Sequence, residues 1–160
     1  MSDFIHNVRF FIHNLIYWLP ILWQDRDWDY RFLLNILVHK LNGMSKHIRE
    51  HGNLVRSEEI ADEIGEIAYN IQLVESEVIT EVAISEHKGK WGETAWDLIP
   101  AVDKDFFHVR MSYPSADTPA KLEQANAELA KLMNEAEEKQ EKLLRDTFAK
   151  MAEQLLGWWD

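Results

Sequence analysis

Thr118-Pro119-Ala-Lys-Leu122-Glu-Gln-Ala125-Asn-Ala-Glu-Leu129-Ala-Lys-Leu132 opens the stretch that decides the fold. After Pro119 no glycine or proline appears until Gly157. Threonine is a good N-cap and proline is pre-organised for the first helical position. Leu122, Ala125, Leu129 and Leu132 form one apolar seam at helical spacing, and Leu144, Phe148, Met151 and Leu155 form another. From Asn134 to Lys142 only Ala136 is apolar. The pattern predicts a long helix over 118–156 with a solvated middle. At about 1.5 Å per residue such a helix runs roughly 58 Å, longer than a domain of this size is wide. Its two seams therefore predict a homo-oligomer.

Upstream, residues 87–117 read differently. Gly89, Gly92 and Pro100 interrupt helical continuity, and Phe107-His-Val-Arg-Met-Ser-Tyr113 alternates apolar with polar. Trp96 and Leu98 supply a facing strand, so a short β-hairpin or extended insertion is expected over about 91–113. Before it, Ile60, Ile64, Ile67, Ile71, Val74, Val78 and Val82 make one regular stripe of a helix starting after Ser57. A second helix carries Tyr30, Leu33, Leu34, Leu37, Leu41, Met44 and Ile48, with acids Asp25, Asp27 and Asp29 at its start and Gly52 as C-cap. The first carries Phe4, Val8, Phe11, Ile12, Leu15 and Leu19, with Pro20 ending or kinking it. The expected fold is mostly α: four principal helices in a single domain over 1–160, with the hairpin inserted before the last.

Composition narrows the function. The 160 residues hold 46% hydrophobic and 28% charged side chains and no cysteine, as expected of a globular chain in a reducing compartment. The net charge of −11 is unevenly placed. Residues 1–56 carry seven Lys/Arg against five Asp/Glu, whereas residues 57–86 carry nine acids and no Lys or Arg. A polyanion needs many cations in register, so a nucleic-acid polymer is not an expected partner. Residues 4–23 are apolar but interrupted by His6, Asn7, Arg9, His13, Asn14 and Pro20. This breaks the uninterrupted run of about 20 residues that a membrane span requires, and no membrane insertion is expected.

Trp23-Gln-Asp-Arg-Asp-Trp28-Asp-Tyr30-Arg31-Phe32 concentrates aromatic rings beside guanidinium groups at a helix corner. Such groups stack on bases, donate bidentate hydrogen bonds to phosphates and lose little rotamer entropy; the same groups also pin a corner into a core. Trp23, Arg26, Trp28, Tyr30 and Arg31 are the candidate ligand-binding residues. Lys88, Lys90, Trp91 and Arg110 form a second cationic-aromatic set. The expected ligand is small and anionic, and no cofactor is implied.

Two shorter motifs bear on catalysis. His47-Ile-Arg-Glu50-His51 matches the H-x-x-E-H pattern of inverted zincins, but it lies in the last turn of a helix, where histidines also suit the dipole. The acids Glu58, Glu59, Asp62, Glu63 and Glu66 resemble half of the metal-binding set of MazG-like nucleotide pyrophosphohydrolases. The preceding helix has no acid between Arg31 and Arg49 to complete it. No catalytic residue is assigned, no metal site is expected, and the chain reads as a non-enzyme.

Pro20-Ile-Leu-Trp-Gln-Asp-Arg-Asp-Trp-Asp-Tyr30, His87-Lys-Gly-Lys-Trp91-Gly and the terminal Gly157-Trp-Trp-Asp160, taken together, resemble a widespread group of small proteins encoded by large tailed bacteriophages. The resemblance spans nearly the whole chain and carries no catalytic residues. It implies expression in the host bacterial cytoplasm and a part in the phage's dealings with its host. Small helical phage proteins include sponges that sequester cyclic-nucleotide defence signals, so an anti-defence sponge is one expected function. A protein–protein adaptor or inhibitor acting on a host or phage protein is the other, with a metal-dependent nucleotide hydrolase a distant third.

Overall fold

A computed structural model describes residues 2–23, 29–52, 55–100 and 106–159. The helices are α1 (Ser2–Leu22), α2 (Tyr30–His51), α3 (Ser57–Glu75), α4 (Val78–Trp91) and α5 (Pro119–Gln154). Strands β1 (Ala95–Pro100) and β2 (Phe107–Ser112) lie between α4 and α5, and a 3-10 turn, Leu155–Trp159, follows α5. The mostly α architecture with a long C-terminal helix and a short antiparallel hairpin agrees with the sequence. The chain divides into two compact units: residues 1–75 with 147–160, and residues 76–146.

In the first unit, α2 and α3 form an antiparallel helical hairpin. Its ends are tied by Asn35 Nδ2 donating to Glu75 Oε1 (3.2 Å) and by the Arg49–Asp62 ion pair at 2.6 Å. Between them Ser45 donates to the Ala61 carbonyl at 2.7 Å. The core is aliphatic: Leu34, Val38, Leu41 and Ile48 from α2 with Ile60, Ile64, Ile67, Ile71 and Val74 from α3, all buried. Small Ala61 and Ala68 are also fully enclosed. Asp29 caps α2 by accepting from the Arg31 backbone N–H at 2.9 Å, and the Gly52 N–H closes its end on the Ile48 carbonyl at 2.8 Å. Tyr30 and Leu33, read as members of the α2 stripe, lie exposed, Tyr30 one turn before Leu34 begins the core and Leu33 immediately beside it.

Four boundaries differ from the sequence reading. The helix read through Val82 breaks at Ser76–Glu77, where Glu77 takes a left-handed conformation (φ 55°), and α4 starts afresh. Val78 and Val82, beyond the break, are exposed rather than part of the core. Gly89 does not interrupt α4, which continues to Trp91 before Gly92 ends it; at Gly92 the φ of 87° and the adjacent Pro114 ring leave no space for a side chain. Of the two readings of Pro20, that it ends α1 is excluded, since Pro20 lies inside α1, which runs on to Leu22. Finally, Trp158 is not released after Gly157: the 3-10 turn buries it.

Candidate interaction surfaces

The Trp/Arg corner straddles the end of α1 and the start of α2. Among its described residues Trp23 is 83% and Tyr30 64% exposed, so both rings face water, while Arg31 is partly buried in the first turn of α2. Arg26 and Trp28, with Asp25 and Asp27, lie outside the described residues.

The second set lies in the other unit, and its two lysines are already paired. Lys90 Nζ contacts both Glu128 oxygens at 2.7 and 2.8 Å, and Trp91 donates its Nε1–H to Glu128 Oε2 at 2.9 Å. These hydrogen bonds, Lys90's first and Trp91's second, hold the Glu128 carboxyl below its ordinary range. Lys88 pairs with Glu93 at 3.0 Å. Trp91 is buried against Tyr113 and Ala125, with Ala116 and Leu122 packed around them. His87, also buried, donates from Nε2 to the Ala125 carbonyl at 2.9 Å, and Tyr113 donates to Asn126 Oδ1 at 3.1 Å. Burial raises the Tyr113 phenol. Lys90 and Trp91 thus tie α4 to α5, and Trp91 also packs on the segment after β2, while Lys88 pairs within the turn that follows α4.

The two catalytic motifs have equally local contacts. His47 and His51 stack on each other at 4.9 Å on an exposed face of α2. Among the described residues no group of three or more His, Asp or Glu side chains could hold a metal ion. The acids of α3 face basic partners: Arg56 reaches Glu59 (2.7 Å) and Glu63 (3.6 Å), Arg49 reaches Asp62, and Lys150 reaches Glu66 at 2.7 Å. The acidic face is a solvated one, laced with exposed ion pairs.

The hairpin presents a different surface. Its register sets Trp96 opposite Met111, Leu98 opposite Val109 and Pro100 opposite Phe107. Directly opposed residues share a face of the sheet, so these six make one face entirely apolar. The alternate pairs, Ala95 with Ser112, Asp97 with Arg110 and Ile99 with His108, make the other face largely polar. Arg110, a candidate for anion binding, therefore stands across from a carboxylate on the polar face. On the apolar face Trp96, Leu98, Phe107 and Val109 are 63, 66, 58 and 59% exposed. The period-two alternation of residues 107–113 signalled the strand; the matching alternation Trp96-x-Leu98-x-Pro100 would have signalled that both strands send their apolar residues the same way.

No helix among the described residues is long and apolar enough to cross a membrane. Comparison with protein-family models, with curated proteins and with solved structures finds no match for this chain.

Proposed function

We propose that the chain is a non-catalytic interaction protein whose β-hairpin docks on a partner protein, a host or phage protein in the setting implied by the phage resemblance. One observation carries this reading: among the described residues, Trp96, Leu98, Phe107 and Val109 on the apolar face of a two-stranded sheet stay more than half exposed. An isolated two-stranded hairpin is marginally stable in water, and a contiguous apolar patch rimmed by polar residues is the usual mark of a protein-binding surface. A partner that covers Trp96, Leu98, Phe107 and Val109 removes four large side chains from water, with Trp96 and Phe107 as aromatic anchors. Leu98→Asp and Val109→Asp put charges on the docking face and abolish partner binding. Arg110→Ala, on the other face, leaves it within a few-fold of wild type. Binding unaffected by either aspartate refutes the reading.

A second reading, sequestration of a small anionic ligand such as a cyclic-nucleotide defence signal, is favoured by the two exposed rings of Trp23 and Tyr30 beside Arg31. A base stacked on one ring gains about 1–3 kcal/mol. Incubation with a panel of cyclic and linear nucleotides in the presence of Mg²⁺ or Zn²⁺ separates the readings. Intact ligand recovered after denaturation means sequestration, an altered product means an enzyme, and no uptake leaves the docking protein.

A further inference from the structure

Among the described residues the first helix carries a second exposed apolar surface, with a regular spacing of its own. Ile5, Val8, Ile12, Leu15, Leu19 and Leu22 are spaced three, four, three, four and three residues apart, the alternation of a coiled-coil seam. All six are 39–57% exposed. Phe4, Phe11 and Ile16 flank the seam and are more exposed still. The helix docks on α2 from the opposite side. Tyr17 donates to the His39 carbonyl at 2.8 Å, His39 Nε2 returns a bond to the Tyr17 carbonyl at 3.1 Å, and Tyr17, Trp18 and Ile21 are the residues half-buried there. At about 100° per residue, Tyr17 lies nearly opposite the centre of the seam. The contact that holds α1 to its own chain thus turns the seam outward.

We infer that α1 pairs with α1 of a second copy of this chain, side by side and parallel, as a two-stranded coiled coil. Three features single out this occupant. Isoleucine at two of the three first positions of the repeat and leucine at two of the three second positions is the pattern that favours two parallel strands. The buried area is sufficient: taking about 100 Å² for a whole aliphatic side chain and about 200 Å² for a phenylalanine, the exposed fractions remove on the order of 600 Å² per copy. Roughly 1,200 Å² for the pair exceeds the ~1,000 Å² expected of a specific interface. Charge is the third: Arg9 is the one charged residue from Phe4 to Leu22, so no like charges crowd the seam, while the chain's −11 opposes docking on an anionic membrane. This pairing is independent of the hairpin surface.

Light scattering of the full chain at micromolar concentration tests it. The expected mass is twice the 18.9 kDa of one copy. Leu15→Asp returns the mass to 18.9 kDa, weakening association at least about a hundredfold, with helix content unchanged by circular dichroism because Leu15 is already half-exposed in the single copy. The chain has no cysteine, so Ile5→Cys, which a parallel pair brings face to face with its counterpart, gives a covalent dimer when diamide is added, and Asn14→Cys on the far side does not. A wild-type mass of 18.9 kDa overturns the inference, as does a dimer that persists in Leu15→Asp. Ile5→Cys that fails to cross-link overturns the parallel arrangement. Co-flotation with phosphatidylcholine–phosphatidylglycerol vesicles by a protein that is a single copy in solution assigns the seam to a lipid surface and likewise overturns it.

Discussion

Gly43→Ala tests how α1 is held to α2, with a sign that depends on a second residue. A methyl group at Gly43 would overlap the Tyr17 hydroxyl and lie 3.0 Å from its Cζ. The ring cannot simply step aside. Its hydroxyl donates to the His39 carbonyl, and it packs 4.1 Å from the His39 ring. Replacing glycine by alanine in a helix interior is worth about 1 kcal/mol in favour of folding. Displacing the Tyr17 ring forfeits one hydrogen bond at about 0.5–1.5 kcal/mol and a ring pair at about 0.5–1.5 kcal/mol. The losses, near 2 kcal/mol, outweigh the gain, so Gly43→Ala destabilises by about 1 kcal/mol. In a Tyr17→Ala background the obstruction is gone, and the same substitution stabilises by about 1 kcal/mol. Urea unfolding of the four proteins, followed by circular dichroism, reads both effects. A Gly43→Ala that stabilises the wild type as much as it stabilises Tyr17→Ala refutes the packing described.

Ile67→Ala, in the centre of the α2–α3 core, lowers the free energy of unfolding by about 2–5 kcal/mol, while Leu33→Ala, exposed on α2, stays within about 0.5 kcal/mol; equal effects in urea titrations would misplace the core. Glu77→Gly relieves the left-handed strain at the α3–α4 break and raises stability by about 1 kcal/mol, read as a higher unfolding midpoint; a lower one contradicts the break. The Glu128 carboxyl, depressed below 4.5 by Lys90 and Trp91, contributes stability that is present above pH 4.5 and lost as pH falls through its lowered value. Carboxylate titration by NMR shows Glu128 protonating late in the wild type and closer to 4.5 in Lys90→Ala; no difference between the two removes the Lys90 contact from the account.

The long helix and the α2–α3 core were legible because one physical signal, apolar spacing at helical period, is strong over many residues. The isoleucines from Ile60 to Ile71 and the glycine-free run after Pro119 illustrate this. The break at Glu77 was not legible: glutamate carries no turn signal, and Val78 and Val82 continue the stripe without entering the core. Trp158 was misread for the opposite reason, since Gly157 is a turn signal but the chain after it folds back into the core. Of the candidate site residues, Trp23 and Tyr30 are as exposed as a binding corner requires. Lys90 and Trp91 look the same in sequence, but they are occupied by Glu128, a partner 37 positions beyond Trp91 that no local pattern announces. The apolar hairpin face needed the strand register, which places alternating residues of two separate segments side by side.

Site-specific photo-crosslinking from the hairpin tests the central claim most directly. A photoreactive residue at position 98 lies on the apolar face, and one at the neighbouring position 97 lies on the polar face. In cells producing the protein, position 98 is expected to capture one partner protein in high yield and position 97 to capture little or none. Equal yields from the two positions, or none from position 98, would contradict the account.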